Sequence, residues 1–225
     1  MLIPRYYFAN DYKQFYDYFL TQPHTVRRFR KHEVLWTLGT NVTHVYYIIS
    51  GIAQTTIDHE DGFRKICSLH SAGTVFPGSH RTRFKIEHSI STTALSDMET
   101  LCFTNEDFLR MLCENSELNL QTLDWYATYI NLLLFESAHQ DYNSSFIKLC
   151  NLLYLCSQNS PQGKTCRIDL TQENIAEILT VTRVNAARNL SRLRDEQIII
   201  PHRRWIEIVD LEALEAYCSQ ETRQG

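Results

Sequence analysis

Long apolar runs are missing from this chain. Its most apolar stretches, "VYYIISGIA" and "INLLLF", fall far short of the ~20 residues that a membrane-spanning helix needs. The first twenty residues, "MLIPRYYFANDYKQFYDYFL", carry aromatic rings and early charges where an export signal would carry an apolar core and a small-residue cleavage site. The expectation is a cytoplasmic protein with no membrane partner. Paired cysteines are missing too. The seven cysteines are odd in number, scattered, and form no C-x-x-C motif, which excludes a disulfide framework and points to reduced thiols. Positive charge is in short supply: the formal net charge is -4, so no global field attracts a polyanion, and any nucleic-acid surface must be local.

What is present is a 225-residue chain with 44% hydrophobic and 21% charged residues, enough for one large or two modest globular domains. The first half has the signature of β structure. Gly39, Gly51, Gly62 and Gly73 recur at spacings of 12, 11 and 11, with β-branched and aromatic runs between them ("HVYYIIS", "IAQTTID", "FRKICSL"). Turn signals at that interval mark a sandwich or barrel. Asp61-Gly62 suits a hairpin loop, because glycine supplies the positive φ. Together with two strand-like runs in "IEHSISTTALSDMETLCFT", this predicts one antiparallel β-barrel or jelly-roll unit over residues 25–104.

From Asn105 the period changes. Asn105 suits the N-cap of a helix with Glu106 and Asp107 in its first turn. Beyond it, Leu120, Leu123, Ala127, Ile130, Leu134 and Ser137 step by 3, 4, 3, 4 and 3, a heptad seam. Such a seam serves either a second copy of the same helix or the core of its own domain. Leu132, Leu133 and Phe135 make the helix apolar on more than one face.

The last third is a separate module. "NSSFIKLCNLLYLCSQ" predicts a helix with Phe146, Leu149, Leu152, Leu153 and Cys156 on one stripe, and "SPQGKT" (160–165) is the best linker or turn. Thr171 then caps a short helix, with Asn174 where a capping box has Glu, and Ile175, Ile178 and Leu179 on its apolar face. After the turn "TVT", Thr182 caps a second helix, "RVNAARNLSRLRDE", with Ala186, Ala187, Leu190 and Leu193 facing inward. "IIIPHRRWIEIV" reads as two strands around a tight turn at His202, Arg203 and Arg204.

Helix, short turn, helix and hairpin is a winged helix-turn-helix, whose second helix enters the DNA major groove with its N-terminal residues at the base edges. Arg183 sits in the first turn of that helix and Arg188 follows on a similar outward side; arginine bonds guanine O6 and N7 bidentately. Residues 180–205 hold six Arg against Asp195 and Glu196, a local +4, so the rest of the chain carries -8. A basic face on an acidic protein is the electrostatic footprint of a DNA reader. The bland reading, a solvated amphipathic helix, is answered by the flanking capped helix and the Arg-Arg hairpin.

Barrel, long helix and winged helix in this order resemble the bacterial cyclic-AMP-receptor and fumarate-nitrate-regulator family over nearly the whole chain. The most specific stretches are "VYYIISGIAQ" and "LTQENIAEILTVTRVNAARNLSRLRDEQII". The resemblance implies an α+β protein with an N-terminal cyclic-nucleotide-binding-like jelly-roll barrel with a helical segment (1–104), a linker and dimerisation helix (105–140) and a winged helix-turn-helix (141–225). Thr182-Arg183 matches the family's Ser-Arg at the start of the recognition helix, and Arg188 its second base-contacting Arg. Val184 replaces the acidic residue typical of the cyclic-AMP receptor, and Thr180 stands where the turn usually has Gly. By the same resemblance DNA contacts fall on Thr171, Gln172, Thr182, Arg183, Val184, Asn185, Arg188, His202, Arg203 and Arg204. The dimer interface falls on Leu120, Leu123, Ala127, Ile130 and Leu134. The partners implied are a palindromic operator in double-stranded DNA, a second copy of the chain, and RNA polymerase.

The effector is addressed by departures from the family pattern. Cyclic-nucleotide binders hold the ribose with Gly-Glu and the phosphate with Arg-Ser. In "GTVFPGSHRTRFKIEHSIS" no Gly-Glu occurs, and His88-Ser89 replaces Arg-Ser; a neutral His is a poor phosphate fork. Arg81, Arg83 and Lys85 stand nearby. The oxygen-sensing branch needs an N-terminal cysteine cluster, whereas the first cysteine here is Cys67, so no iron–sulfur cluster is expected. Haem would draw axial ligands from Cys67, His70, His80 and His88. The remaining resemblance is to the halophenol-sensing branch, which implies a small organic effector lined by Gly78, Ser79, His80, His88, Tyr126 and Tyr129; plain helix–barrel packing is the alternative role for the two tyrosines. No cofactor or metal and no catalytic residue is expected. The alternatives are an effector-independent regulator, a haem- or metal-based sensor of the same family, and a cupin-type enzyme, for which "HSAGTVFPGSH" and "EHS" do not supply a His-rich constellation.

Overall fold

β-branched and aromatic residues at alternating positions build the first of two structural units. The computed structural model describes residues 3–36, 43–79, 89–158 and 166–223, and the chain divides into one unit of residues 7–127 and another of residues 128–225 with 1–6. The stretch "SPQGKT" and the glycine at Gly39 lie outside the described residues.

The first unit runs β1 (Tyr7–Phe8), α1 (Tyr16–Thr21), β2 (Thr25–Phe29), β3 (Val34–Trp36), β4 (His44–Ser50), β5 (Ile52–Asp58), β6 (Arg64–Ser71), β7 (Val75–Phe76), β8 (Ile90–Ala94), β9 (Met98–Thr104) and α2 (Asn105–Glu114). The strands form two sheets, ordered β1-β6-β5-β8-β3 and β2-β9-β4-β7. The expected barrel is therefore an open jelly roll of two sheets, and it is not wholly antiparallel: β1 pairs parallel with β6, Tyr7 against Leu69 and Phe8 against His70.

Alternation decides what each face meets. On β4 and β9, Tyr46, Ile48 and Cys102 join Phe29, Ala53, Ala94 and Met98 in one core between the sheets. The intervening residues Tyr47 and Phe103 meet Phe19 of α1 from the other side, with ring centroids at 5.1 and 5.5 Å. The aromatic N-terminal segment thus packs as a second core, with Phe8, Tyr12, Phe15 and Phe19 buried. The β4–β5 turn needs glycine: Gly51 has φ +90°, and a Cβ there would lie 2.3 Å from the Asp97 carbonyl oxygen.

Helix α2 is capped by Thr104, whose hydroxyl oxygen accepts the Asp107 amide at 3.0 Å. Asn105, expected as the cap, is the first helical residue instead, because Thr104, the last residue of β9, has the hydroxyl that takes the cap bond. After it, α3 (Ser116–Leu134) has two apolar stripes. Leu118 and Trp125 are buried in the first unit, and Leu132 in the second. The heptad residues take the other stripe. Leu120, Leu123, Ile130 and Leu134 are each 54–60% exposed, and Ala127 is exposed as well, so this stripe does not serve the core of its own protomer.

The second unit continues with a π-helical turn (Phe135–Gln140), α4 (Ser145–Ser157), β10 (Cys166–Ile168), α5 (Gln172–Leu179), α6 (Arg183–Asp195), β11 (Ile199–Pro201), β12 (Ile206–Ile208) and α7 (Leu211–Ala216). Helix α4 is buried on nearly every side and is the hub of this unit. Its Asn151, fully buried, donates to Gln140 Oε1 (3.0 Å) and Ser219 Oγ (3.1 Å) and accepts from the Ser219 amide (2.9 Å). The expected two-stranded wing is a three-stranded sheet, β10-β12-β11. Burial pushes the thiols of Cys150, Cys156 and Cys218 up to about 12, so these three stay protonated at neutral pH.

Helix α5 ends on Thr180, a β-branched residue at φ 54°, ψ 47°. That left-handed conformation costs an L residue about 1–2 kcal/mol, and glycine returns part of the gain as about 0.5–1 kcal/mol of extra chain entropy. Thr180→Gly is therefore expected to stabilise the protein by about 0.5–1 kcal/mol. A urea titration checks this; an unchanged or lower midpoint means that the side-chain contacts of Thr180 outweigh its backbone strain.

Candidate functional site

The helix-turn-helix is set by three threonines. Thr171 caps α5 through a full capping box: its hydroxyl oxygen accepts the Asn174 amide at 3.1 Å, and Asn174 Oδ1 accepts the Thr171 amide at 3.1 Å. Thr180 reverses the chain, and the Val181 amide closes the turn onto the Ala176 carbonyl at 3.0 Å. Thr182 caps α6 by accepting the Asn185 amide at 3.2 Å. Every orphan amide that these side chains satisfy is one that water or a ligand does not have to satisfy.

Helix α6 buries Ala186, Asn189, Leu190 and Leu193, while Ala187 is half-buried. Its other side presents Thr182, Arg183, Val184 and Arg188 to solvent. Asn185, half-buried between the two sides, accepts from Arg188 Nη2 at 2.9 Å and from Ser145 Oγ at 3.3 Å. Asn189 donates to the same Ser145 hydroxyl at 3.1 Å. The N-terminus of α4 therefore anchors α6, and Asn185 steadies the Arg188 guanidinium. Asn189 and Ser145 were not singled out from the sequence; buried polar residues on an otherwise apolar face were the signal that could have found them.

The arginines sort into two groups. Arg192 lies over the Phe146 ring at 3.8 Å and near the Tyr217 ring at 5.4 Å, and pairs with Glu196 at 3.0 Å. Arg194 pairs with Asp195 at 2.8 Å. Both belong to the last turn of α6, where positive charge also suits the helix dipole. Arg183 lies at the opposite end, in a first turn with no acidic residue, and makes no ion pair among the described residues. A cation at a helix N-terminus works against the dipole, and an anion brought there is favoured by both charges.

The wing completes the basic face. β11 and β12 are joined by a turn closed by the His202 amide on the Trp205 carbonyl at 2.9 Å. The rings of His202 and Trp205 stack at 3.6 Å, and the Arg167 guanidinium lies 4.8 Å from the Trp205 ring centroid. This stack stiffens the turn that carries Arg203 and Arg204, both exposed. Gln172 is exposed and Thr171 half-buried at the start of α5.

In the first unit three of the expected effector residues come together. Tyr126 Oη donates to the Ser79 carbonyl at 2.8 Å, Ser79 Oγ donates to Asn105 Oδ1, and a Cβ on Gly78 would lie 2.3 Å from Tyr126 Oη. Burial raises the Tyr126 pKa, so its hydroxyl is a donor throughout the physiological range. Tyr129 belongs to the other unit, and His80, His88, Arg81, Arg83 and Lys85 lie outside the described residues. Cys67 is half-buried and His70 fully buried, both on β6. Among the described residues no three His, Cys, Asp or Glu side chains group around a metal position.

His70 is fully buried among rings: Phe8 at 5.3 Å, Phe76 at 4.1 Å and Trp125 at 6.1 Å, with Ser68 Oγ 2.9 Å from its Nε2. On the same sheet face, Thr55 and Thr92 are cross-strand partners. They are 5% and 0% exposed, and their hydroxyls have no hydrogen-bond partner among the described residues. Each such hydroxyl costs about 1–3 kcal/mol in a dry interior. Thus a polar, aromatic-walled patch lines the inside of the jelly roll.

Residues 26–115 match the cyclic nucleotide-binding domain family, and residues 147–217 match the Crp-like helix-turn-helix domain family. The global nitrogen regulator of Nostoc sp. is 26% identical over 193 residues, spanning 83% of this chain and 86% of that protein. The solved structure of CprK complexed with OCPA aligns with a TM-score of 0.70 at 20% identity, covering 96% of this chain and 97% of that one. FixK2 from Bradyrhizobium japonicum aligns with a TM-score of 0.77 at 16% identity, covering 88% and 98%. No described helix is long and apolar enough to cross a membrane. With a cyclic nucleotide-binding domain ahead of a Crp-like helix-turn-helix, on the fold of those structures, the chain belongs to the cyclic-AMP-receptor and fumarate-nitrate-regulator family of transcription regulators.

Proposed function

We propose that this protein is a homodimeric regulator that reads a palindromic operator through α6 and is controlled by a small organic effector, not cyclic AMP, held in the jelly roll. The observation that carries the reading is the bare row Thr182, Arg183, Val184 and Arg188 on a helix fixed from behind. In this reading Arg183 and Arg188 reach base edges. Asn185 orients Arg188; Thr171, Gln172, His202, Arg203 and Arg204 meet the sugar-phosphate backbone and fix register. The functional division is sensing (1–104), linking and pairing (105–140) and DNA binding (141–225), in the cytoplasm, with RNA polymerase as a further partner.

The exposed stripe Leu120, Leu123, Ala127, Ile130 and Leu134 supports the homodimer. Four apolar residues more than half in water along one helix are costly unless a second copy covers them. A two-fold pair of such helices also sets two recognition helices against the two half-sites of a palindrome.

The buried hydroxyls of Thr55 and Thr92 support an effector inside the jelly roll, since a ligand with a polar group would satisfy them. A structural neighbour was solved as a complex with OCPA, which is consistent with an organic ligand on this fold. A second reading, regulation without an effector, is favoured by the Tyr126–Ser79 contact, which leaves no room beside Gly78 and already uses the tyrosine proton.

Arg183→Ala and Arg188→Ala are each expected to weaken binding to the preferred operator by about 1–3 kcal/mol and to relax base preference, while Arg203→Ala or Arg204→Ala weakens binding to all sequences alike. Selection from randomised palindromes checks this; an unchanged preference in Arg183→Ala removes Arg183 from base readout. Ile130→Glu is expected to sediment as a monomer, because it sets a charge against its symmetry mate in an apolar seam; a variant that stays dimeric places the pairing surface elsewhere. Calorimetry with cyclic AMP is expected to show no heat, and micromolar binding of cyclic AMP refutes the effector assignment.

A further inference from the structure

A groove on the outer side of the first unit has no part in DNA reading or in the jelly-roll interior. Tyr47 on β4 and Tyr16 on α1 form one wall of it, with ring centroids 5.6 Å apart, and Ile49 continues that wall. The neighbours Tyr46 and Ile48 point the other way, into the core between the sheets, because side chains alternate along a strand. The floor is the β6–β7 turn. The N-terminal segment is tied onto it by the Asn10 amide on the Ala72 carbonyl (3.0 Å) and the Tyr12 amide on the Gly73 carbonyl (2.7 Å). Glycine is required in that turn: Gly73 has φ +77°, and a Cβ there would lie 2.8 Å from the Asn10 Cα. The groove measures about 410 Å³, inside the ~300–1,000 Å³ range of small-molecule sites.

Three polar groups border the groove without a partner of their own. The Tyr47 side chain is only 4% exposed, yet its hydroxyl makes no hydrogen bond among the described residues. A hydroxyl so placed is costly unless something bonds to it. Burial, and after it the neighbouring Tyr16, raises the Tyr47 pKa, so the hydroxyl stays a donor at neutral pH. Lys13 and Asp17 are the other two groups, both exposed. They are four residues apart, the spacing at which opposite charges pair along a helix, and neither makes an ion pair among the described residues. An ammonium and a carboxylate that flank one groove without neutralising each other favour a molecule that carries both signs. The aromatic and aliphatic wall favours an apolar remainder.

We propose that this groove binds a free α-amino acid with an apolar side chain. Its carboxylate meets Lys13 and the Tyr47 hydroxyl, its ammonium meets Asp17, and its side chain lies against Tyr16 and Ile49. The site is separate from the interior assigned to the effector, and it does not depend on that assignment.

Calorimetry on the full-length protein with L-leucine and L-phenylalanine tests this. At least one of them is expected to bind with a millimolar or tighter dissociation constant. Its amide, which lacks the carboxylate, and its deaminated acid, which lacks the ammonium, are expected to bind more weakly. Lys13→Met and Asp17→Asn change exposed residues, and Tyr47→Phe keeps the ring, so all three variants fold. Each is expected to weaken binding about three- to tenfold, the worth of one hydrogen bond. The proposal is overturned if neither amino acid gives heat at millimolar concentration, or if the amide and the deaminated acid bind as tightly as the parent. It is overturned equally if Lys13→Met, Asp17→Asn or Tyr47→Phe binds as tightly as the wild type, which places the ligand elsewhere.

Discussion

A helix that reads DNA must leave its working face bare, so everything that fixes it has to act from behind. Helix α6 meets this constraint with three kinds of interaction. Ala186, Leu190 and Leu193 supply apolar burial, which holds the helix but allows it to rotate slightly about its axis. The hydrogen bonds from Ser145 to Asn185 and from Asn189 to Ser145 are directional, and they fix that rotation. The far end is held by Arg192, stacked on Phe146 and paired with Glu196. Phe146 and Ser145 both belong to the first turn of α4, so one helix terminus sets the aim of the reading face. One basic residue that looks available for DNA in the sequence, Arg192, is thus used for this purpose and Arg194 pairs with its neighbour Asp195, while Arg183, Arg203 and Arg204 make no ion pair among the described residues.

The long helix α3 faces a complementary problem. A helix of nineteen residues with one apolar stripe needs one neighbour; α3 has two stripes, and only one is buried. Its buried stripe belongs to the first unit at Leu118 and Trp125 and to the second at Leu132. Trp125 stands against His70 and Phe8 inside the jelly roll, and Tyr126 against Gly78 and Ser79. A ligand that repacks those contacts acts on the same helix that carries the exposed seam.

Local chemistry was legible in the sequence, and long-range pairing was not. Thr171 with Asn174, Thr182 and the wing turn all follow from residues within a few positions of one another, and the structure has each of them; Thr180 was marked only by the family's glycine at that place, and the structure puts it in the left-handed region. The heptad stripe was legible as a stripe, but its exposure was not, because periodicity says that a face is shared and not with whom. Strand β1, two residues long, was missed because its partner Leu69–His70 lies far along the chain and no turn joins the two. Strand β10 was missed for the same reason: Cys166–Ile168 is too short to alternate visibly, and it exists because β12 offers an open edge. The cap of α2 was misplaced by one residue, since Thr104 serves both as the end of β9 and as the cap. Of the residues expected to line an effector pocket, Gly78, Ser79 and Tyr126 were brought together; the buried hydroxyls of Thr55 and Thr92 were passed over, because threonine in a strand normally signals β propensity alone.

Those two threonines are costly residues for a structure that needs only stability. A jelly roll that only needed stability would place Val at both positions, since Val has the same shape without the hydroxyl and Thr55 and Thr92 stand opposite one another across the strands. Two buried hydroxyls without a hydrogen-bond partner among the described residues cost more than a typical surface substitution gains or loses. The cost falls in the same interior as His70, whose ring is surrounded by Phe8, Phe76 and Trp125, and the last of these belongs to α3. Polar groups held at an energetic cost and walled by aromatic rings thus lie in the same interior as the ring contact to the helix that carries the exposed stripe.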